Sequence, residues 1–130
     1  MTSIRTSTPD MPTAIPGFDM WLTENKGAYA PSHVMALVSS ALKVEMRYLR
    51  AKEKPQWITD ARQIYCFFAR YLTQASYNEI GTKIGRLHSS VITAERNIQN
   101  KLSVKDERIV DKVATVYQYM LKEHKYGQYV

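Results

Sequence analysis

Only one cysteine, Cys66, occurs in the 130 residues, so no internal disulfide can form. Its place within Ile64-Tyr65-Cys66-Phe67-Phe68 reads as core packing in a reducing compartment. No apolar run approaches the roughly 18 residues that a membrane span needs, and Arg5 is not followed by the apolar stretch of a signal peptide. The expectation is a cytoplasmic protein without a membrane partner. Three histidines at 33, 88 and 124 lack metal-ligand spacing, and Cys66 has no basic neighbour to activate it. No convergent acid, base and nucleophile set is visible, so neither a metal, a cofactor nor an enzyme is expected. Repeats and low-complexity tracts are absent as well.

What the chain does have is positive charge, and it is unevenly placed. Eighteen Lys and Arg face twelve Asp and Glu, for a net +6 and a pI near 9.5. The first 30 residues carry two basic and three acidic side chains, residues 31–102 carry eleven and five, and residues 103–130 carry five and four. The surplus therefore sits in the middle, where a polyanion is the first partner to consider. A hydrophobic fraction of 45% with 23% charged residues suits one globular domain with a single core.

Hydrophobic spacing resolves the chain into helices. Residues 1–30 read as a flexible leader with a short apolar segment: MTSIRTSTPDMPTAIPG holds little that could anchor to a core. Phe18, Met20, Trp21 and Leu22 after it either fold back onto the domain or dock a protein partner. From Ser32, a candidate N-cap, Val34, Leu37, Val38, Ala41 and Leu42 mark one buried stripe. A short helix over Val44 to Leu49 leads into a basic loop holding Lys52 and Lys54, and Pro55 stops continuation. Thr59 or Asp60 can cap the next helix, whose run Ala61 to Leu72 is apolar on nearly every side and so belongs at the centre. Ser76-Tyr77-Asn78-Glu79 matches a capping box, starting a helix at Tyr77 that stops by Gly85.

Another helix runs from about His88 to Leu102, burying Val91, Ala94, Ile98 and Leu102. Its opposite face carries Ser89, Ser90, Thr93, Arg96, Asn97, Asn100 and Lys101, side chains suited to base edges and phosphates. Ser103 can cap a last helix through Val110, Val113 and Met120. The fold class is all-α, with about six helices. Residues 76–102 satisfy the needs of a helix-turn-helix reader: a supporting helix, a tight turn at Gly85-Arg86-Leu87, and a second helix whose first turn is small, polar and free of carboxylates. A plain helical hairpin in an all-α domain fits the same pattern.

The stretch "DARQIYCFFARYLTQASYNEIGTKIG", followed by "HSSVITAERNI", resembles the C-terminal DNA-binding domain of the bacterial chromosomal replication initiator DnaA, in the order of its motifs from about Val34 to Met120. That resemblance implies a TrpR-like helix-turn-helix domain over residues 31–126, reading duplex DNA in the major groove while a basic loop reaches the neighbouring minor groove. It implies base contacts from His88 and Ser89, with Tyr77 and Asn78 approaching the groove from the supporting helix. Phosphate contacts are implied for Arg62, Gln63, Arg70, Ser90 and Thr93, and the polar-face pattern adds Arg96. Lys52 and Lys54 would form the minor-groove loop.

Departures from the family pattern are specific. Leu87 stands where the family has an acidic residue, the turn is one residue shorter, Glu53 interrupts the basic loop, and Glu95 puts a negative charge midway along the reading helix. No G-x-x-x-x-G-K-[ST] occurs, and the 33 residues before the match are too few for the family's ATPase domain. A stand-alone, sequence-directed double-stranded DNA-binding protein is expected, regulating replication initiation or transcription by occupying its site. The alternative is an adaptor that keeps the fold and binds a replication or transcription protein through Phe18 to Leu22 or the last helix.

Overall fold

A computed structural model describes residues 15–52 and 55–127, with side chains as far as Glu123. Among the described residues seven helices follow in order: α1 (Phe18–Glu24), α2 (Pro31–Leu42), α3 (Met46–Arg50), α4 (Gln56–Leu72), α5 (Tyr77–Thr82), α6 (His88–Ser103) and α7 (Glu107–Gly127). The all-α class is as expected, with one helix more than the spacing suggested. The extra one is α1, which the apolar knot at 18–22 forms.

The long apolar run does lie at the centre. Ile64, Tyr65, Cys66, Phe67, Phe68 and Ala69 of α4 are all buried, and α1, α2, α3, α5 and α6 pack around it. Helix α7 braces α2 and α6 with Ile109, Val113, Val116, Tyr117 and Met120. This arrangement follows from composition: a helix apolar on all sides can satisfy itself only in the middle of a bundle, while α6, apolar on one stripe, covers one flank and leaves the other in water.

The leader assigned to residues 1–30 is corrected in its second half. Ile15, Phe18, Trp21 and Leu22 are buried, and Phe18 meets Phe67, Phe68 and Tyr117 at ring separations of 6.2, 5.7 and 5.1 Å. Helix α1 is thus a lid on α4 and α7, with Phe18, Trp21 and Leu22 turned into the core and Met20 left exposed. Residues 1–14 lie outside the described residues. Beyond α1, the Tyr29 amide donates to the Leu72 carbonyl at 2.8 Å, so the connection to α2 is also fastened to the central helix.

The starts of α2, α4 and α7 depart from the caps inferred for them. Helix α2 begins at Pro31, not behind Ser32, because proline at the first helical position lacks only an amide that would have no partner there. Helix α4 begins at Gln56, directly after Pro55; the proline starts this helix as well as ending the loop. Helix α6 continues through Ser103, and Asp106 instead accepts from the Ile109 amide at 3.3 Å at the start of α7.

Asp60, expected as a cap, is buried inside α4 and accepts from Arg108 at 2.8 and 3.3 Å and from Gln56 at 2.9 Å, with Lys112 at 3.7 Å. Burial raises its pKa, but the hydrogen bonds from Arg108 and Gln56 and the charges of Arg108 and Lys112 outweigh that and hold it below 3.8. The folded carboxyl therefore takes a proton less readily than the unfolded one. Its contribution to stability is complete above pH 3.8 and is lost as the pH falls through the lower folded value. Urea titrations of wild type and Asp60→Asn between pH 2 and 7 should show the stability gap closing only at the acid end; a gap independent of pH would show that the charge contributes nothing.

Candidate nucleic-acid interface

The supporting helix starts as the sequence indicated. The Glu79 amide donates to Ser76 Oγ at 3.1 Å and the Ser76 amide donates to Glu79 Oε1 at 2.9 Å, completing the capping box of α5. The turn after α5 is closed by two bonds to one carbonyl: the Ile84 and Arg86 amides both donate to Gly81 O, at 3.0 and 2.9 Å. Gly85 takes the left-handed conformation at φ 67°, which glycine adopts without the cost of a Cβ.

Gly81 is the tighter constraint, and sequence reasoning passed over it. A Cβ at this position would stand 2.4 Å from the Arg86 carbonyl oxygen and 3.1 Å from Val91 Cγ2. The backbone of the turn itself would have to move. Gly81→Ala is expected to cost about 1 to 3 kcal/mol by overpacking and to tilt α6 against α5. Thermal unfolding checks the first effect, and a wild-type melting curve for the alanine variant would refute it.

Helix α6 presents most of the polar face drawn from spacing, with Asn97 and Lys101 half-buried at its edge. His88, Ser89, Ser90, Thr93, Arg96 and Asn100 are exposed, and Val91, Ala94, Ile98 and Leu102 are buried. Ser89, Thr93, Arg96 and Asn100 recur at helical intervals and form one stripe. No acidic side chain lies in the first turn.

Glu95, which threatened this face with negative charge, is half-buried to one side of the stripe. Its carboxylate accepts from the Tyr77 hydroxyl at 3.0 Å and from Gln99 Nε2 at 3.3 Å, and Gln99 in turn bonds the Tyr71 hydroxyl. Burial, with the Glu95 charge adding to it, pushes the Tyr71 phenol up to about 12. Above the Tyr77 ring lies the Arg70 guanidinium, 4.8 Å from its centroid. Residues from α4, α5 and α6 are thus joined in a polar strut that fixes the pitch of α6, and its exposed cation, Arg70, remains at the surface.

Two expected site residues, Arg62 and Tyr77, are engaged inside the domain. Arg62 is buried, and its guanidinium donates to the carbonyls of Leu49, Tyr48 and Ala51 at 3.0, 3.1 and 2.8 Å. These are carbonyls at the end of α3, where a helix dipole favours a cation. These bonds hold the guanidinium inside the domain, where it clamps α4 to the end of α3. Tyr77 is half-buried and serves the strut, whereas Asn78 beside it is exposed. Gln63 is half-buried and lines a cleft of about 330 Å³ with Thr59, Arg86, Ser89, Ser90 and Thr93. Lys52 is exposed; Lys54 lies outside the described residues.

Arg86, inside the turn, was missed. One of its guanidinium nitrogens donates to Ile84 O at 3.1 Å and another to Ala51 O at 2.9 Å. Two arginines, one from α4 and one from the turn, therefore converge on the Ala51 carbonyl at the root of the segment that carries Lys52. That segment and the start of α6 are tied together, so they would meet any ligand as one surface. The only sequence signal was a second arginine in a tight turn; the partner 35 residues away could not be read.

Among the described residues no three His, Cys, Asp or Glu side chains gather as a metal site, and no helix is long and apolar enough to cross a membrane. Burial pushes the Cys66 thiol up to about 12, which keeps it protonated and unreactive near neutrality.

The family model described as the bacterial dnaA protein helix-turn-helix matches residues 31–98, from the start of α2 through most of α6. Curated relatives carry the same name, chromosomal replication initiator protein DnaA. That of Corynebacterium jeikeium is 30% identical over 95 residues, 72% of this chain and 16% of the relative. That of Flavobacterium psychrophilum is 32% identical over 69 residues, 52% and 14% respectively. That of Streptococcus pyogenes is 33% identical over 84 residues, 64% and 18%. The chain spans less than a fifth of the length of each of these relatives.

Proposed function

The chain belongs to the bacterial DnaA helix-turn-helix family, and from that premise we propose that it is a sequence-directed double-stranded DNA-binding protein, regulating replication initiation or transcription by occupying its site. The observation that carries this reading is the uncovered polar stripe of α6. Among the described residues neither α1 nor α7, which packs on α6, covers Ser89, Thr93, Arg96 or Asn100, and the half-buried Glu95 is drawn toward Tyr77. In helix-turn-helix docking the leading turn of the second helix enters the major groove. On such docking His88 and Ser89 would read base edges, with Asn78 beside them, and Ser90, Thr93, Arg96, Gln63 and Arg70 would meet phosphates. Lys52, with Lys54, would reach the adjacent minor groove. The free amides of the first turn of α6 add a favourable field for phosphate.

Base contacts and phosphate contacts are separable by experiment. His88→Ala and Ser89→Ala should each weaken binding to the preferred duplex by about 1 to 3 kcal/mol and leave binding to unrelated duplexes nearly unchanged. Arg96→Ala should weaken every sequence alike and flatten the slope of log affinity against log salt by about one. Equal losses on all sequences for all three variants would remove the claim of base reading.

A further inference from the structure

Leu87 is the N-cap residue of α6 and is 73% exposed. Neither property favours folding. Leucine is a poor N-cap because it offers no acceptor to the free first-turn amides, and an apolar side chain left in water contributes no burial. Helix α5 has a complete capping box from Ser76 and Glu79, whereas α6, like α1 to α4, starts without a side-chain cap, so what sets residue 87 apart is its exposed apolar side chain. Other large exposed apolar side chains among the described residues are Met20, Met46, Trp57 and Val104. These lie on α1, α3, the first turn of α4 and the link to α7. Leu87 alone stands at the leading end of the polar stripe, next to the exposed His88, Ser89 and Ser90.

We propose that Leu87 is a specificity-determining residue that packs its isobutyl group against the C5 methyl of a thymine in the major groove. This rests on the duplex-reading function above and names one base of its target. The thymine methyl is the apolar feature among the base edges of that groove, and the leading end of the second helix is the part that approaches those edges. An acceptor at position 87 would instead cap α6 or take a hydrogen bond from a base. Leucine can do neither and can only bury apolar surface, so its position selects a methyl group.

The test uses duplexes that the intact protein enriches from a random pool, remade with uracil in place of thymine at one position at a time. Uracil removes the methyl and preserves base pairing. At one position, uracil should weaken wild-type binding about fourfold, the equivalent of one buried methyl group. Leu87→Ala should bind the thymine and uracil forms equally there, so that the two losses do not add. Leu87→Asp should raise the melting temperature by roughly 3 °C through the cap it gains while losing affinity for the thymine duplex, which excludes unfolding as the cause. A thymine-to-uracil ratio that Leu87→Ala leaves unchanged at every position would overturn the role of Leu87 and leave duplex reading intact. A wild-type protein that enriches no sequence would overturn duplex reading, and this inference with it.

Discussion

Arg62→Ala should lower stability by about 3 to 5 kcal/mol, because it removes a buried cation from three carbonyls and leaves those acceptors without it. The bonds to Tyr48, Leu49 and Ala51 hold the last turn of α3 and the start of the Lys52 segment against α4. Lysine is no substitute: a single ammonium cannot reproduce the planar fork that reaches three oxygens. Urea denaturation of both variants measures the effect. Unfolding midpoints close to wild type, with affinity reduced on every duplex, would instead return Arg62 to the phosphate-contacting role that its place in the sequence implied.

The second large effect concerns the other end of the chain. Phe18→Ala should cost about 3 to 5 kcal/mol, the range for truncating a buried phenylalanine, since its ring is 1% exposed and lies among Trp21, Phe67, Phe68 and Tyr117. Met20, two residues along α1 and 67% exposed, supplies the control: Met20→Ala should stay within about 0.5 kcal/mol of wild type. If α1 were a docking segment for another protein, the difference would vanish in the isolated chain, with neither substitution affecting its melting and both affecting the complex.

These two residues show where sequence reasoning ran short. The elements with strong periodicity were legible: the central position of α4 followed from its apolar run, the polar stripe of α6 from its spacing, and the start of α5 from Ser76 and Glu79, which lie three residues apart. Each of those signals is local. What escaped was set by partners far along the chain. Asp60 looks like a cap until Arg108, 48 residues on, is seen to approach it. Arg62 looks like a surface cation because residue type records charge and not burial. Phe18 to Leu22 is apolar enough for either a core or a docking site, and only the placement of Phe67, Phe68 and Tyr117 decides between them. In the turn, Gly85 announced itself by position, whereas the demand on Gly81 arises from the Arg86 carbonyl folding back over it.

The interface has the same division. Exposure of His88, Ser89, Ser90, Thr93 and Arg96 was readable from helical phase. The strut through Arg70, Tyr77, Glu95, Gln99 and Tyr71, and the meeting of Arg62 and Arg86 on Ala51, were not, because they join separate elements. Both matter for specificity, since contacts to bases discriminate only when the reading helix is held at a fixed pitch.

Selection from a random duplex pool by the wild-type protein and by a His88→Ala/Ser89→Ala double variant, at two salt concentrations, addresses the exposed stripe of α6 most directly. Wild type should enrich one short motif at both concentrations, and the double variant should still bind duplexes at low salt while losing that motif. Identical enrichment by the two proteins, or none by either, would contradict the assignment of base reading to the leading turn of α6.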